Sequence, residues 1–120
     1  MEKFKLGEME QKFADIIWKS APIKTQELIA ICAKEFNWKR TTTYTMLKRL
    51  SNRELFKNEN GIVVVVMEKD DFLARKGEEF IEKTFEGSLP RFLAAFGRQK
   101  KLSDKEINEI QQLIDKYKEV

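Results

Sequence analysis

Asn60-Gly61 stands between two short segments rich in strand-forming residues, Leu55-Phe56-Lys57 and Ile62 to Met67. A tight primed turn needs positive φ at both central residues, and Asn-Gly adopts it at little cost. One antiparallel hairpin is therefore expected here, with its turn at Asn58 to Gly61. Ile62 to Met67 is also an uninterrupted apolar run, and its six residues fit a strand but are far too short to span a bilayer.

Everything around this hairpin is patterned for helices. Gly7 and Glu10 have the spacing of a helix start, and Met9, Phe13, Ile16 and Ile17 follow at helical intervals, so a first helix is expected to about Lys19. Ala21-Pro22 should end it, because proline lacks the amide hydrogen and biases its predecessor away from helical dihedrals. Ile23-Lys24 suits a very short strand. Thr25 or Lys24 then caps a second helix, Thr25 being the better cap chemically, with Leu28, Ile31, Cys32 and Phe36 on its apolar side and Asn37 at its end. A third helix, about Lys39 to Ser51, carries Thr43, Leu47 and Leu50 on one face. Its start, Thr41-Thr42-Thr43, has poor helix propensity because β-branched residues lose rotamer freedom there. That weakness asks for a tertiary or functional reason, although simple capping would also account for it.

Beyond the hairpin, Asp70 and Asp71 open a further helix where its dipole favours acids, and Gly87 stops it. Ser88 caps a short helix containing Pro90, and Ser103 to Glu106 form a capping box for the last one. The expected fold is mainly α with a small antiparallel sheet: a winged helix-turn-helix over residues 1–68 and a helical region over 69–120. A chain of 120 residues buries one modest core. The apolar positions of the second region, Phe72, Phe80, Phe85, Leu89, Phe92, Leu93, Phe96, Ile107, Ile110, Leu113, Ile114 and Tyr117, exceed what that core can cover and are expected to pack against a second copy.

Charge divides unevenly along the chain. Residues 1–67 carry 12 basic and 8 acidic side chains, against 11 and 12 in residues 68–120. Asn37 to Lys57 holds Lys39, Arg40, Lys48, Arg49, Arg53 and Lys57 against Glu54 alone, a footprint suited to a polyanion and equally to a solvated helix face. Short hydroxyl side chains at the start of the third helix would let the backbone approach DNA and still donate hydrogen bonds. No metal site is expected: the chain has no histidine, and Cys32 is its only cysteine, placed as a buried core thiol. No cofactor is expected. Glu78-Glu79 are neighbours on a helix and do not face one another, and no nucleophile with a base or phosphate loop is visible, which argues against an enzyme. The charged N-terminus lacks an export signal, so a cytoplasmic location without membrane insertion is expected.

Three groups of residues carry a family likeness: Gly7-Glu8-Met9-Glu10 with Ile17-Trp18, then Thr42 to Leu50 (TTYTMLKRL), then Phe85-Glu86-Gly87, Phe96 and Leu102 to Ile107 (LSDKEI). In this order and spacing the chain resembles the penicillinase and methicillin-resistance repressors of Gram-positive bacteria, the BlaI/MecI family. The resemblance implies a homodimeric repressor that binds a palindromic operator through an N-terminal winged helix and controls β-lactam-resistance or related genes. It also implies inactivation by a sensor-linked protease. Related copper-responsive members carry a C-terminal cysteine cluster, which is missing after Cys32.

The family's DNA-contacting positions fall on Thr41, Thr42, Thr45 and Arg49, and 41, 45 and 49 share a helix face opposite Thr43, Leu47 and Leu50. Relatives often have lysine at the first of these positions, whereas here Lys39 and Arg40 precede Thr41. Lys48 joins Arg49 at the backbone or a guanine edge, Lys57 and Asn60 belong to the wing, and Tyr44 either lies on the sugar-phosphate backbone or packs under the wing. The family's cleavage site maps onto Ala95-Phe96, where relatives have asparagine in place of Ala95. Two alternatives remain: a winged helix that binds protein and never touches DNA, and a family repressor answering a signal other than β-lactams.

Overall fold

The computed structural model describes residues 4–119. The element order is α1 (Glu8–Ser20), β1 (Ile23–Lys24), α2 (Thr25–Phe36), α3 (Arg40–Asn52), β2 (Phe56–Glu59), β3 (Ile62–Val65), α4 (Lys69–Thr84), α5 (Leu89–Gln99) and α6 (Asp104–Lys118). The chain forms two compact units, Met1–Glu79 and Phe80–Val120.

In the first unit α1, β1, α2 and α3 precede the β2–β3 hairpin, and β1 joins the hairpin in an antiparallel sheet of order β1-β3-β2, the arrangement of a winged helix-turn-helix. The Gly7 amide donates to the Glu10 carboxylate at 2.8 Å, which satisfies one of the free donors at the start of α1. Ala21 is extended, as a residue before proline should be. Asn37 ends α2 in the left-handed region at φ 55°, a conformation asparagine tolerates. The hairpin turns at Asn60 (φ 52°) and Gly61 (φ 84°), and the Asn58 side chain accepts the Gly61 amide at 2.9 Å. β3 stops at Val65, short of Met67, because the amides of Val66 and Met67 both turn to the Leu55 carbonyl, at 2.9 and 3.1 Å.

In this unit one expectation is resolved between its two alternatives and another is corrected. Thr25 does not cap α2. Lys24 occupies that position, and Thr25 is the first helical residue, buried, with its hydroxyl unpartnered. The Thr25 amide extends the β1–β3 ladder by donating to the Gly61 carbonyl at 2.8 Å, which commits this residue's backbone to the sheet.

Phe72, expected on the dimer surface, is a core residue at 1% exposure. Its ring meets Trp18 at 5.5 Å and Phe4 at 5.9 Å, and Trp18 also packs on Phe56 at 5.4 Å while its indole donates to the Met67 carbonyl. The start of α4 thus closes a core built from Phe13 and Ile17 of α1, Leu28 and Cys32 of α2, Leu47 and Leu50 of α3, and Phe56 and Val63 of the hairpin. Burying one such aromatic ring contributes on the order of 2 to 3 kcal/mol.

The second unit has no such interior: neither α5 nor α6 contains a buried residue. Gly87, in the left-handed region at φ 81°, follows α4 and donates its amide to the Ile81 carbonyl at 3.1 Å. Ser88 caps α5 through the Arg91 amide, and Ser103 and Glu106 exchange reciprocal bonds of 3.1 and 3.2 Å at the start of α6. Phe80, Phe85, Phe92 and Phe96 form a chain of ring contacts, from 5.4 to 6.4 Å between successive centroids.

Candidate nucleic-acid interface

α3 holds its place through Thr43, Met46, Leu47 and Leu50, all buried at helical spacing. Every other residue from Arg40 to Arg49 is exposed: Arg40, Thr41, Thr42, Tyr44, Thr45, Lys48 and Arg49. With the exposed cap residue Lys39, the outward face carries four cations, and the helix has no acidic residue. All the α3 positions singled out in the sequence are therefore presented together on one face.

Their chemistry differs in detail. The Thr45 hydroxyl donates to the Thr41 carbonyl at 2.9 Å, so it offers an incoming group an acceptor rather than a donor. Arg49 is half-exposed and lies 4.0 Å from the Glu10 carboxylate of α1, so its charge is partly offset. Tyr44 is exposed and lies beneath the Arg40 guanidinium, 5.5 Å from ring centroid to Cζ, not buried under the hairpin. Arg40 donates to the Tyr44 hydroxyl at 3.4 Å and across to the Gln26 side chain of α2 at 3.3 Å. Gln26 escaped the sequence reading because only the packing of α2 against α3 brings it to this face. In the hairpin, Lys57 pairs with Glu59 at 2.6 Å, and Asn60 is exposed at the turn.

Behind this face lies Cys32, buried as expected. Burial pushes its thiol above the ordinary range, and a hydrogen bond with the Thr43 side chain acts in the opposite sense. The buried Thr43 hydroxyl makes no hydrogen bond of regular geometry, so this contact is the lesser influence. Desolvation is the stronger influence, because the thiol is fully buried. Among the described residues no cluster of potential metal ligands occurs, and no helix is long and apolar enough to cross a membrane.

In the second unit Phe80, Leu89, Leu93, Phe96, Ile107, Leu113, Ile114 and Tyr117 are exposed, and Phe85, Phe92 and Ile110 are half-buried. Ala95-Phe96 lies inside α5, which runs on to Gln99.

The family described as Penicillinase repressor matches residues 6–116 of the chain. The chain belongs to the penicillinase repressor family. This is a family of transcriptional repressors, not of enzymes. The chain is 29% identical to the penicillinase repressor of Bacillus licheniformis over 94% of its own length and 91% of the relative's. It is 23% identical to the methicillin resistance regulatory protein MecI of Staphylococcus aureus, over 94% and 95% of the two chains. A solved structure, the monomeric form of B. licheniformis BlaI in complex with the blaP half-operator, is similar at 25% identity and a TM-score of 0.48. It covers 56% of this chain and 87% of that one. As a member of the penicillinase repressor family, the chain carries its α3 and hairpin within the matched residues.

Proposed function

We propose that this protein is a homodimeric repressor that places α3 in the major groove of a palindromic operator, with the β2–β3 hairpin against the flanking backbone. The observation that carries this reading is the outward face of α3, rich in cations and hydroxyls and free of carboxylates, on a helix whose other face is locked into the core. A helix anchored in this way can meet duplex DNA as a rigid body. Thr41, Thr42 and Thr45 contact phosphates or base edges, Arg49 and Lys48 the backbone or a guanine, and Lys57 with Asn60 the backbone beside the wing. The first unit binds DNA and the second assembles the dimer. The exposed apolar residues of α5 and α6, in helices without a buried side chain, support a second copy as their partner. The family and the 29% identical penicillinase repressor support genes of β-lactam resistance as the target.

The test is titration of duplex sites selected by the full-length protein from a random library, repeated across salt concentrations. Each neutralised phosphate steepens the fall of log affinity with log salt by about 0.9. Arg49→Ala should weaken the selected site by about 1 to 3 kcal/mol if the guanidinium grips a base edge in two places. Binding that ignores both salt and Arg49→Ala points to a protein-binding winged helix instead.

Release from DNA is proposed to follow cleavage at Ala95-Phe96, which would remove α6 and the last turn of α5 from the assembly unit. Since the bond is helical, α5 must unwind locally before a protease can engage it. Intact-mass analysis of the protein from its host, before and after β-lactam exposure, checks this: full derepression without a fragment ending at Ala95 excludes the switch.

A further inference from the structure

Three of the cations at the α3 face and wing are held in different ways. Lys57 is engaged by Glu59 at 2.6 Å, and Arg49 stands 4.0 Å from Glu10. Both are thus partly neutralised before any ligand arrives. Arg40, by contrast, is positioned by two neutral groups on two helices, the Gln26 side-chain carbonyl of α2 at 3.3 Å and the Tyr44 hydroxyl of α3 at 3.4 Å, with its guanidinium over the Tyr44 ring. Its charge is fixed in direction without being cancelled.

The hydrogen-bond inventory of this cluster is one-sided. Guanidinium has five N–H donors and no acceptor, so it dictates the orientation of both partners. Gln26 must turn its oxygen to Arg40, which leaves its amide N–H₂ unspent. Tyr44 must accept from Arg40, which leaves its own O–H to donate. The remaining Arg40 N–H groups, the Gln26 amide and the Tyr44 hydroxyl form an array with donors to spare, positive overall and exposed. The complementary ligand is acceptor-only and anionic, with several oxygens around one centre: a phosphate.

We propose that Gln26, Arg40 and Tyr44 form a preorganised clamp for one phosphate of the DNA backbone, fixing the register of α3 in the groove, with Arg40 as the binding group and Gln26 and Tyr44 as positioning residues. The proposal rests on the reading of α3 as the DNA-contacting helix. It separates register, set by Arg40, from base discrimination, which is left to the other residues of the α3 face. It also brings into the interface a residue of α2, Gln26, that neither charge nor periodicity singles out.

The test measures affinity of the full-length protein for a selected duplex site and for a scrambled duplex, each across a range of salt concentrations. All the altered side chains are exposed, and a thermal melt checks that each variant folds. Arg40→Gln should lower the salt slope by about 0.9 per half-site, on both duplexes alike, because one phosphate contact is lost irrespective of sequence. Gln26→Ala and Tyr44→Phe should keep the slope and weaken binding roughly threefold to tenfold, the size of one lost hydrogen bond. Arg40→Lys should retain the slope yet make Gln26→Ala nearly silent, since an ammonium lacks the fork that Gln26 orients. An unchanged slope for Arg40→Gln, with a reduced one for Arg49→Gln, overturns the clamp and leaves the DNA-binding reading intact. Additive losses for Gln26→Ala and Arg40→Gln also overturn it, since a positioning residue has nothing left to position once Arg40 is gone. A wild-type protein whose binding shows no salt dependence overturns the underlying reading as well.

Discussion

Thr43 is a hydroxyl where the packing of α3 asks for a hydrocarbon. It is fully buried on the inner face of the helix, and its hydroxyl, beside the Cys32 thiol, makes no regular hydrogen bond. Removing an unsatisfied buried polar group while keeping its shape should be favourable, so Thr43→Val is expected to raise stability by about 1 kcal/mol, read as an increase in melting temperature. DNA affinity should not change, because position 43 does not reach the outer face. Cys32 beside it obeys a definite sign. Burial raises the pKa of the folded-state thiol above its unfolded value, so the folded chain holds the proton more tightly. Its contribution is therefore complete below the ordinary thiol range and is lost as pH rises through the raised value. Modification by a thiol reagent at mildly alkaline pH should track unfolding of the chain. Rapid labelling of the native protein would show that the site opens without unfolding.

Among the elements, the hairpin was the most legible in the sequence, because Asn60-Gly61 states its requirement locally: both residues sit at positive φ, as a primed turn demands. Gly61→Ala meets no atom within 4 Å, so its cost comes from the backbone alone, roughly 1 to 2 kcal/mol, measurable by chemical denaturation. The capping box at Ser103 and Glu106 was equally plain, for its partners are three residues apart. Ser103→Ala should cost about 1 kcal/mol of helix stability, seen as faster hydrogen exchange in the first turn of α6. The α3 face was legible for the same reason, since a helix converts spacing directly into direction. What the sequence hid depends on distant pairing. Phe72 has the same apolar signature as Phe80, and only the reach of α4 back to Trp18 and Phe4 makes one a core residue and the other a surface residue. Thr25 looked like a cap because local chemistry favours it there, but the strand pairing of its amide with Gly61 took precedence. Gln26 meets Arg40 across 14 positions of sequence, beyond any periodic signal.

For the molecule as a whole, the position of Phe72 decides where the chain can be divided. A fragment ending at Glu79 keeps this ring and should sediment as a folded monomer that binds a half-site weakly, because two linked contacts have become one. A fragment ending at Glu68 loses the ring and with it one ring contact of Trp18 and one of Phe4. By analogy with truncating a buried aromatic, it should lose about 3 to 5 kcal/mol, a large part of the stability of a small domain. Circular dichroism and sedimentation of the two fragments check this: a Glu68 fragment as stable as the Glu79 fragment would remove α4 from the core. The hydrogen bond from Thr25 to Gly61 has its own consequence for motion. It fastens the tip of the hairpin to the first residue of α2, so the hairpin cannot swing outward without releasing that amide to solvent. The Thr25 proton is therefore a built-in clock: its exchange with deuterium reports how often the wing lets go, and a bound duplex that pins the wing should slow it.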